Sequence, residues 1–344
     1  MDLIRRLSFI FIKLLIIYLV GGLIYIVYGL NDKLDKYDVK NDAYDGKIDV
    51  SYNDSSNSFT SDKKNNNVQK YIECYEYPIK EDDFTVEMKN KINELYSLFK
   101  NTNYTVSFAY EDMYTGLHIA YNENQTYFTA STVKAPVEVY LYEQAELGNI
   151  DLGAFVTYTS NFYLEGSGSI QYMPVGTQFK LRDLVSMALI ESDNIAYQMT
   201  AAQVDYNSIK SFWKEKGANN FWTSGYWGST SAHDGVIYMK ELYNYSLSNT
   251  DLSNELLNYL YQSVFRSIKA KNDDIKVAHK SGWHFETLHD TALIFDEYPY
   301  AVAIMTNMAY GDYKYLFGRA STLISEFHDL YWENKANICY NQVF

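Results

Sequence analysis

Positive charge is scarce in this chain: its 344 residues carry 29 Lys and Arg against 43 Asp and Glu, a formal net charge of -14. An acidic surface repels phosphate backbones, so nucleic acid is not expected as a partner. A G-x-S-x-G sequence is also missing, which removes support for a nucleophile elbow on a strand-to-helix turn. No internal repeat is present. The stretch HFETLH, His284 to His289, superficially resembles a zinc-binding helix, but its histidines are five apart and its glutamate is misplaced. Neither a metal nor a cofactor is expected. What the chain does have is 47% hydrophobic residues, enough for one large core or two modest ones. Its 35 tyrosines are read as core and surface packing, with room for one in a sugar-peptide cleft.

Residues 7–30, LSFIFIKLLIIYLVGGLIYIVYGL, form a long apolar run interrupted only by Lys13, which lies near enough to one end to snorkel. The run predicts a membrane-spanning helix. Arg5 and Arg6 precede it, and no convincing small-residue cleavage site follows, so an uncleaved anchor is expected rather than a secretory signal. By the positive-inside rule, residues 1–6 stay in the cytoplasm and the rest lies outside the cell membrane. Residues 31–70 are rich in Asp, Asn, Ser and Lys and cannot bury enough surface to order themselves, which predicts a polar tether. Residues 71–344 have the size of one globular domain.

Within that domain the pattern predicts a helix over Asp83 to Lys100, then the alternating strands TVSFAYEDM and LHIAYN around a turn at Tyr114-Thr115-Gly116. Helical segments dominate from Ser131 to Gly217 and return near Gly235 to Tyr245. The late stretches TALIFD and YAVAIMTN read as strands, and a last amphipathic helix is expected over Leu316 to Asn334. Strands at both ends of the domain with helices between them give an α+β plan, one antiparallel sheet flanked by helices with a separate helical lobe.

Serine is followed three residues later by lysine at several places, among them Ser61 and Lys64, Ser131 and Lys134, and Ser211 and Lys214. A chain of this length holds about one or two such pairs by chance, so the context must choose among them. The first pair lies in the polar tether. The third sits in SIKSFWKEKG, a charged helix face where a lysine stays solvated. The second opens STVKAPVEVYLYEQAELG, a helical pattern that ends at Gly148. There Ser131 sits at a helix N-terminus with Lys134 one turn on. An amine kept neutral by burial or by a nearby cation can take the proton from such a serine.

Two further clusters follow in order, Ser192-Asp193-Asn194 and Lys280-Ser281-Gly282-Trp283. With S-x-x-K, these make the motif set of penicillin-recognising serine enzymes. Together with FYLEGSGSIQYMPVGTQFKLRDLVSMALIESDNIAYQM and HDTALIFDEYPYAVAIMTN, they make the domain from Phe84 onward resemble the class A β-lactamase and penicillin-binding protein superfamily. The resemblance implies Ser131 as acylated nucleophile, Lys134 as its base, and Ser192 as proton donor to the leaving amine. Asn194 would bind the acyl-amide carbonyl, while Lys280 and Ser281 would bind the substrate carboxylate. Gly282 gives the strand room to approach the ligand, and the backbone N–H groups of Ser131 and Trp283 would form the oxyanion hole. Substrates would be β-lactams or D-Ala-D-Ala-type peptidoglycan peptides. A catalytically weak peptidoglycan- or β-lactam-binding module is the alternative.

The resemblance also implies that the first and last helices pack antiparallel on one sheet face, which would let Cys74 and Cys339 form a disulfide in an oxidising compartment. Two buried thiols are the other reading. One departure bears on activity. The segment GANNFWTSGYWGSTSAHD, where the family carries its deacylating glutamate, has no carboxylate before Asp234, and the family's position falls near Trp227. Asp205, Glu215, Glu165 and Glu191 are the nearest substitutes. Deacylation is therefore expected to be slow.

Overall fold

The computed structural model describes Cys74 and residues 78–223, 225–308 and 313–343. The expected anchor at 7–30, the tether at 31–70 and the Ser61 to Lys64 pair lie outside the described residues. Among the described residues, no helix is long and apolar enough to cross a membrane.

An antiparallel five-stranded sheet organises the domain. Its strands are β1 (Val106–Asp112), β2 (His118–Tyr121), β7 (Lys276–His284), β8 (Thr287–Phe295) and β9 (Tyr300–Thr306), in the spatial order β2-β1-β9-β8-β7. The hairpin between β1 and β2 turns where Tyr114-Thr115-Gly116 predicts it. Gly116 takes φ +70, and Asp112 Oδ1 accepts the Tyr114 and Thr115 backbone N–H groups. Period-two alternation sends successive residues to opposite faces. Phe108, Tyr110, Val302 and Ile304 join one core, and Ala109, Ala301, Ala303 and Met305 the other.

The first core is closed by α1 (Val86–Lys100), with Met88, Leu95 and Phe99 buried. It is shared by the last helix, α8 (Tyr313–Val343), through Phe317, Ala320, Ile324 and Tyr331. Thr85 caps α1 by accepting the Met88 N–H. α8 runs past the expected end at Asn334, because no glycine or proline interrupts the sequence there and Cys339 is still buried. Cys74 and Cys339 are joined by a disulfide, which clasps the chain before α1 to the end of α8.

The opposite face carries the helices that hold the motifs. These are α2 (Lys134–Glu146), α3 (Leu181–Ile190), α4 (Asn194–Ala201), α5 (Tyr206–Glu215), α6 (Ala232–Ser246) and α7 (Asp251–Tyr261). Caps define several starts: Asp193 for α4, Asp205 for α5, Ser231 for α6 and Thr250 for α7. The structure departs from expectation in two places. Helix α7 is additional to the expected helices. Two small sheets interrupt the helical lobe, β3 (Tyr127–Phe128) with β6 (Ser229–Thr230), and β4 (Phe155–Thr157) with β5 (Gln178–Lys180). Strands of two or three residues are too short to show periodicity.

Candidate active site

Ser131 does not open the helix directly; it lies in the 3-10 turn Ala130–Val133, and Lys134 is the first residue of α2. Ala130 takes φ 44 just before the serine. Such a conformation is costly for a residue with a Cβ and persists where the surroundings enforce it. Strand β7 supplies part of that enforcement. A Cβ on Gly282 would stand 2.8 Å from the Thr132 nitrogen and 2.9 Å from the Ser131 nitrogen, so only glycine lets the strand lie this close to the turn. Trp283 comes next and lines both cavities that open beside Ser131.

One of these cavities, of about 330 Å³, brings Ser131, Ser192, Ser281 and Gly282 together with Phe265 and Ser267. The other, of about 480 Å³, runs from Ser131 past Asn194 to an aromatic wall of Phe128, Trp227, Trp283 and Phe285. A wider groove of about 870 Å³ lies between α1 and α8 on the opposite sheet face, away from the motif residues.

Lys134 is fully buried beneath this surface. Its Nζ donates to the Ser192 carbonyl at 2.5 Å and to Asn194 Oδ1 at 2.8 Å, and it lies 3.2 Å from Ser192 Oγ. The rings of Tyr197 and Trp227 flank it, with centroids 5.9 and 5.7 Å away. Burial first, and then the charge of Lys280, holds its amine well below the usual lysine value; Asp193 and Glu138 act in the opposite direction. Lys280 is itself pushed down to about 8 by burial, with Asp290 opposing. The S-x-x-K, S-D-N and K-S-G residues thus converge, with Ser131 and Lys134 at the entry of α2, Ser192 and Asn194 at the entry of α4, and Lys280 to Trp283 on β7.

Asp193 is architectural. Its Oδ1 accepts the Ile195 and Ala196 N–H groups at the start of α4, and its Oδ2 accepts the Ile170 N–H at 2.9 Å. It thereby pins the lobe loop that carries Glu165 and Ser167. Ser192, beside it, takes φ 59.

Where the sequence lacks the family's deacylating carboxylate, the residue beside the lysine is Trp227. Asp234 is spent elsewhere: it accepts the Asn219 N–H at 2.7 Å and Asn220 Nδ2 at 2.8 Å, fixing the loop to α6. Asp205 caps α5, and Glu191 accepts from Ser169 Oγ. Of the four substitutes, Glu165 lines a cavity with Ser131. A fifth carboxyl, outside the sequence expectations, is Glu138, fully buried one turn beyond Lys134. Its signal in the sequence is a glutamate inside an apolar run directly after S-x-x-K.

The HFETLH stretch is a hairpin, with His284 ending β7 and His289 inside β8. Both His289 ring nitrogens are committed to backbone. Nε2 donates to the Phe128 carbonyl at 2.9 Å, and Nδ1 accepts the Thr306 N–H at 3.1 Å. Burial pushes this imidazole down to about 4.

A family model described as Beta-lactamase enzyme family matches residues 87–327. A search of curated proteins returns no match. Among solved structures the chain is similar to PBP-A, with a TM-score of 0.64 and 18% identity over 70% of this chain and 96% of that one. A PBP-A mutant in an acyl-enzyme complex with penicillin G gives the same score and identity, covering 70% and 97%. A β-lactamase from Sphaerobacter thermophilus gives 0.62 and 17%, again over 70% and 97%. At these identities the solved structures speak for the fold. The family match spans most of the chain, and the chain belongs to the Beta-lactamase enzyme family.

Proposed function

We propose that this protein is an extracytoplasmic serine hydrolase or acyl-transferase, anchored by residues 7–30, in which Ser131 is acylated by β-lactams or D-Ala-D-Ala-type cell-wall peptides and released slowly. The observation that carries the reading is the state of Lys134: buried, held below its usual pKa, and hydrogen-bonded to Ser192 and Asn194 behind the turn of Ser131. A neutral amine there can accept the Ser131 proton as Oγ attacks the carbonyl. Ser192, in contact with the same amine, would return a proton to the leaving nitrogen. Backbone N–H groups at Ser131 and Trp283 would meet the oxyanion, and Lys280 and Ser281 a substrate carboxylate.

Slow release follows from Trp227. An indole cannot take a proton from water, and losing a positioned base typically costs about a hundred to ten thousandfold, roughly 3 to 5 kcal/mol of barrier. A chromogenic cephalosporin should therefore give a burst of about one equivalent of product and then a slow steady state. Covalent labelling by a fluorescent penicillin should survive denaturation in the wild type and vanish in Ser131→Ala, while Ser211→Ala labels normally. Labelling retained in Ser131→Ala would reject the nucleophile. Turnover at many per second without a burst would instead favour Glu165 as the base, since it lines the cavity with Ser131.

A further inference from the structure

Glu138 leaves α2 on the same side as Lys134, which lies four residues earlier in the helix. Its Oε1 lies 2.6 Å from Thr200 Oγ1 on α4. Its Oε2 is buried and has no hydrogen-bond partner among the described residues. Thr200 Oγ1 also lies 2.9 Å from the Tyr197 carbonyl, three residues back on its own helix. A hydroxyl carries one hydrogen. When that hydrogen goes to the carbonyl, the contact to Glu138 needs a hydrogen from the carboxyl, so Glu138 is then the neutral acid. The neutral form also accounts for the stranded oxygen, because a buried carboxylate with one oxygen unpaired would be far more costly. Burial accordingly pushes Glu138 up to about 8, against the pull of Thr200 and Lys134.

The groups acting on this pair come from three elements. Thr200 and Tyr197 face Glu138 from α4, and Tyr197 is pushed up mainly by burial, with Glu138 adding to it. Lys280 from β7 and Asp193 at the start of α4 act on Lys134. Lys134 and Glu138 act on each other across one turn of α2.

We propose that Glu138 is a positioning residue for Lys134, the acid member of a buried pair that holds one proton between its two groups while Ser131 is acylated. The proposal rests on the acyl-enzyme reading of Ser131 given above. With one proton the pair exists as neutral amine with neutral acid, or as ammonium with carboxylate. Both forms hold the same number of protons, so their ratio does not change with pH. Only the first has an amine that can receive the Ser131 proton. In the acylating step that proton passes from Ser131 Oγ to Lys134 Nζ as the Oγ–acyl bond forms, and Glu138 keeps its own. Loss of the pair's last proton at higher pH frees every amine. Acylation thus rises with pH in two steps, where an isolated lysine would give one.

The test is the pH dependence of the acylation burst in wild type and Glu138→Gln, with a chromogenic cephalosporin. Glutamine preserves the hydrogen bond to Thr200 and cannot ionise. Two ascending limbs are expected in the wild type. The variant should show one limb, because it has no carboxyl proton left to lose at higher pH. Superimposable profiles would overturn the proposal. A second measurement needs neither turnover nor this variant: the carboxyl ¹³C shift of Glu138 in selectively labelled Ser131→Ala protein. A midpoint near 8 is expected, and one in the ordinary carboxylate range would overturn the pair. Failure of penicillin to label the wild type would reject the acyl-enzyme reading alone, leaving the carboxyl titration to decide on the pair.

Discussion

Asp112 and Glu138 are both fully buried carboxyls, yet their surroundings could hardly differ more. Asp112, at the end of β1, accepts the Thr115 N–H at 2.7 Å, Thr115 Oγ1 at 2.8 Å and the Tyr114 N–H at 3.1 Å through Oδ1. Its Oδ2 takes Trp332 Nε1 from α8 at 2.9 Å. Glu138, beyond the Ser131 turn on α2, has one contact and one stranded oxygen. Multiple donors let a buried carboxyl act as a clasp. With a single contact, burial favours the neutral acid. Partner count therefore separates the carboxyl that secures the β1–β2 turn to α8 from the one proposed to position Lys134. Lys134 and Lys280 extend the second pattern, since both are fully buried and pushed down.

The contrast would break if removing a site-side group mainly unfolded the protein. Lys134→Ala should slow acylation by about a hundred to ten thousandfold, the usual contribution of a positioned base. Its thermal midpoint should move little, because the lost hydrogen bonds are offset by relief of a desolvated amine. A large fall in melting temperature with normal acylation of the folded fraction would reverse the assignment.

Asp112→Ala is the opposite case. It removes the acceptor of the Trp332 indole N–H, of Thr115 Oγ1 and of the turn N–H groups, and hydrogen bonds to a charged group contribute about 1.5 to 3 kcal/mol, so a loss of about 3 kcal/mol or more is expected. Denaturant titration measures that loss. Penicillin labelling of the folded protein should stay stoichiometric, and a variant that is stable but does not label would show that the turn region reaches the site.

Local pattern carries much of this architecture in the sequence itself. Alternation in TVSFAYEDM and YAVAIMTN marks β1 and β9, and the motif triplet groups Ser131, Lys134, Ser192, Asn194 and Lys280 in one site. What escapes a sequence reading does so for physical reasons. Glu138 is visible as a glutamate inside an apolar run, but its partner Thr200 lies 62 residues away on another helix, which no local pattern shows. The approach of Gly282 to the Ser131 turn is a contact between segments some 150 residues apart, set by sheet order rather than by local pattern. Helix α7 is different, because the Thr250 cap and the periodic stretch DLSNELLNYLY after it do carry a local helix signal. The expected anchor and tether rest on composition and flanking charge and lie outside the described residues.

The smallest expected effect concerns His289, a histidine on the site side that burial keeps neutral, with both ring nitrogens bonded to backbone. Its folded pKa of about 4 lies below the value of about 6.5 for an unfolded histidine, so between those values the unfolded chain binds more protons. The stabilisation is therefore complete above about pH 6.5 and is lost as pH falls toward 4, amounting to about 2 kcal/mol by pH 4.5. His289→Asn keeps one donor and one acceptor without a titrating ring. Urea denaturation at pH 7 and pH 4.5 should show the wild type losing about 2 kcal/mol more than the variant over that interval. If both lose the same amount, the proton taken up on acid unfolding belongs to another group, and the β3 contact to Phe128 is not what makes the site side sensitive to acid.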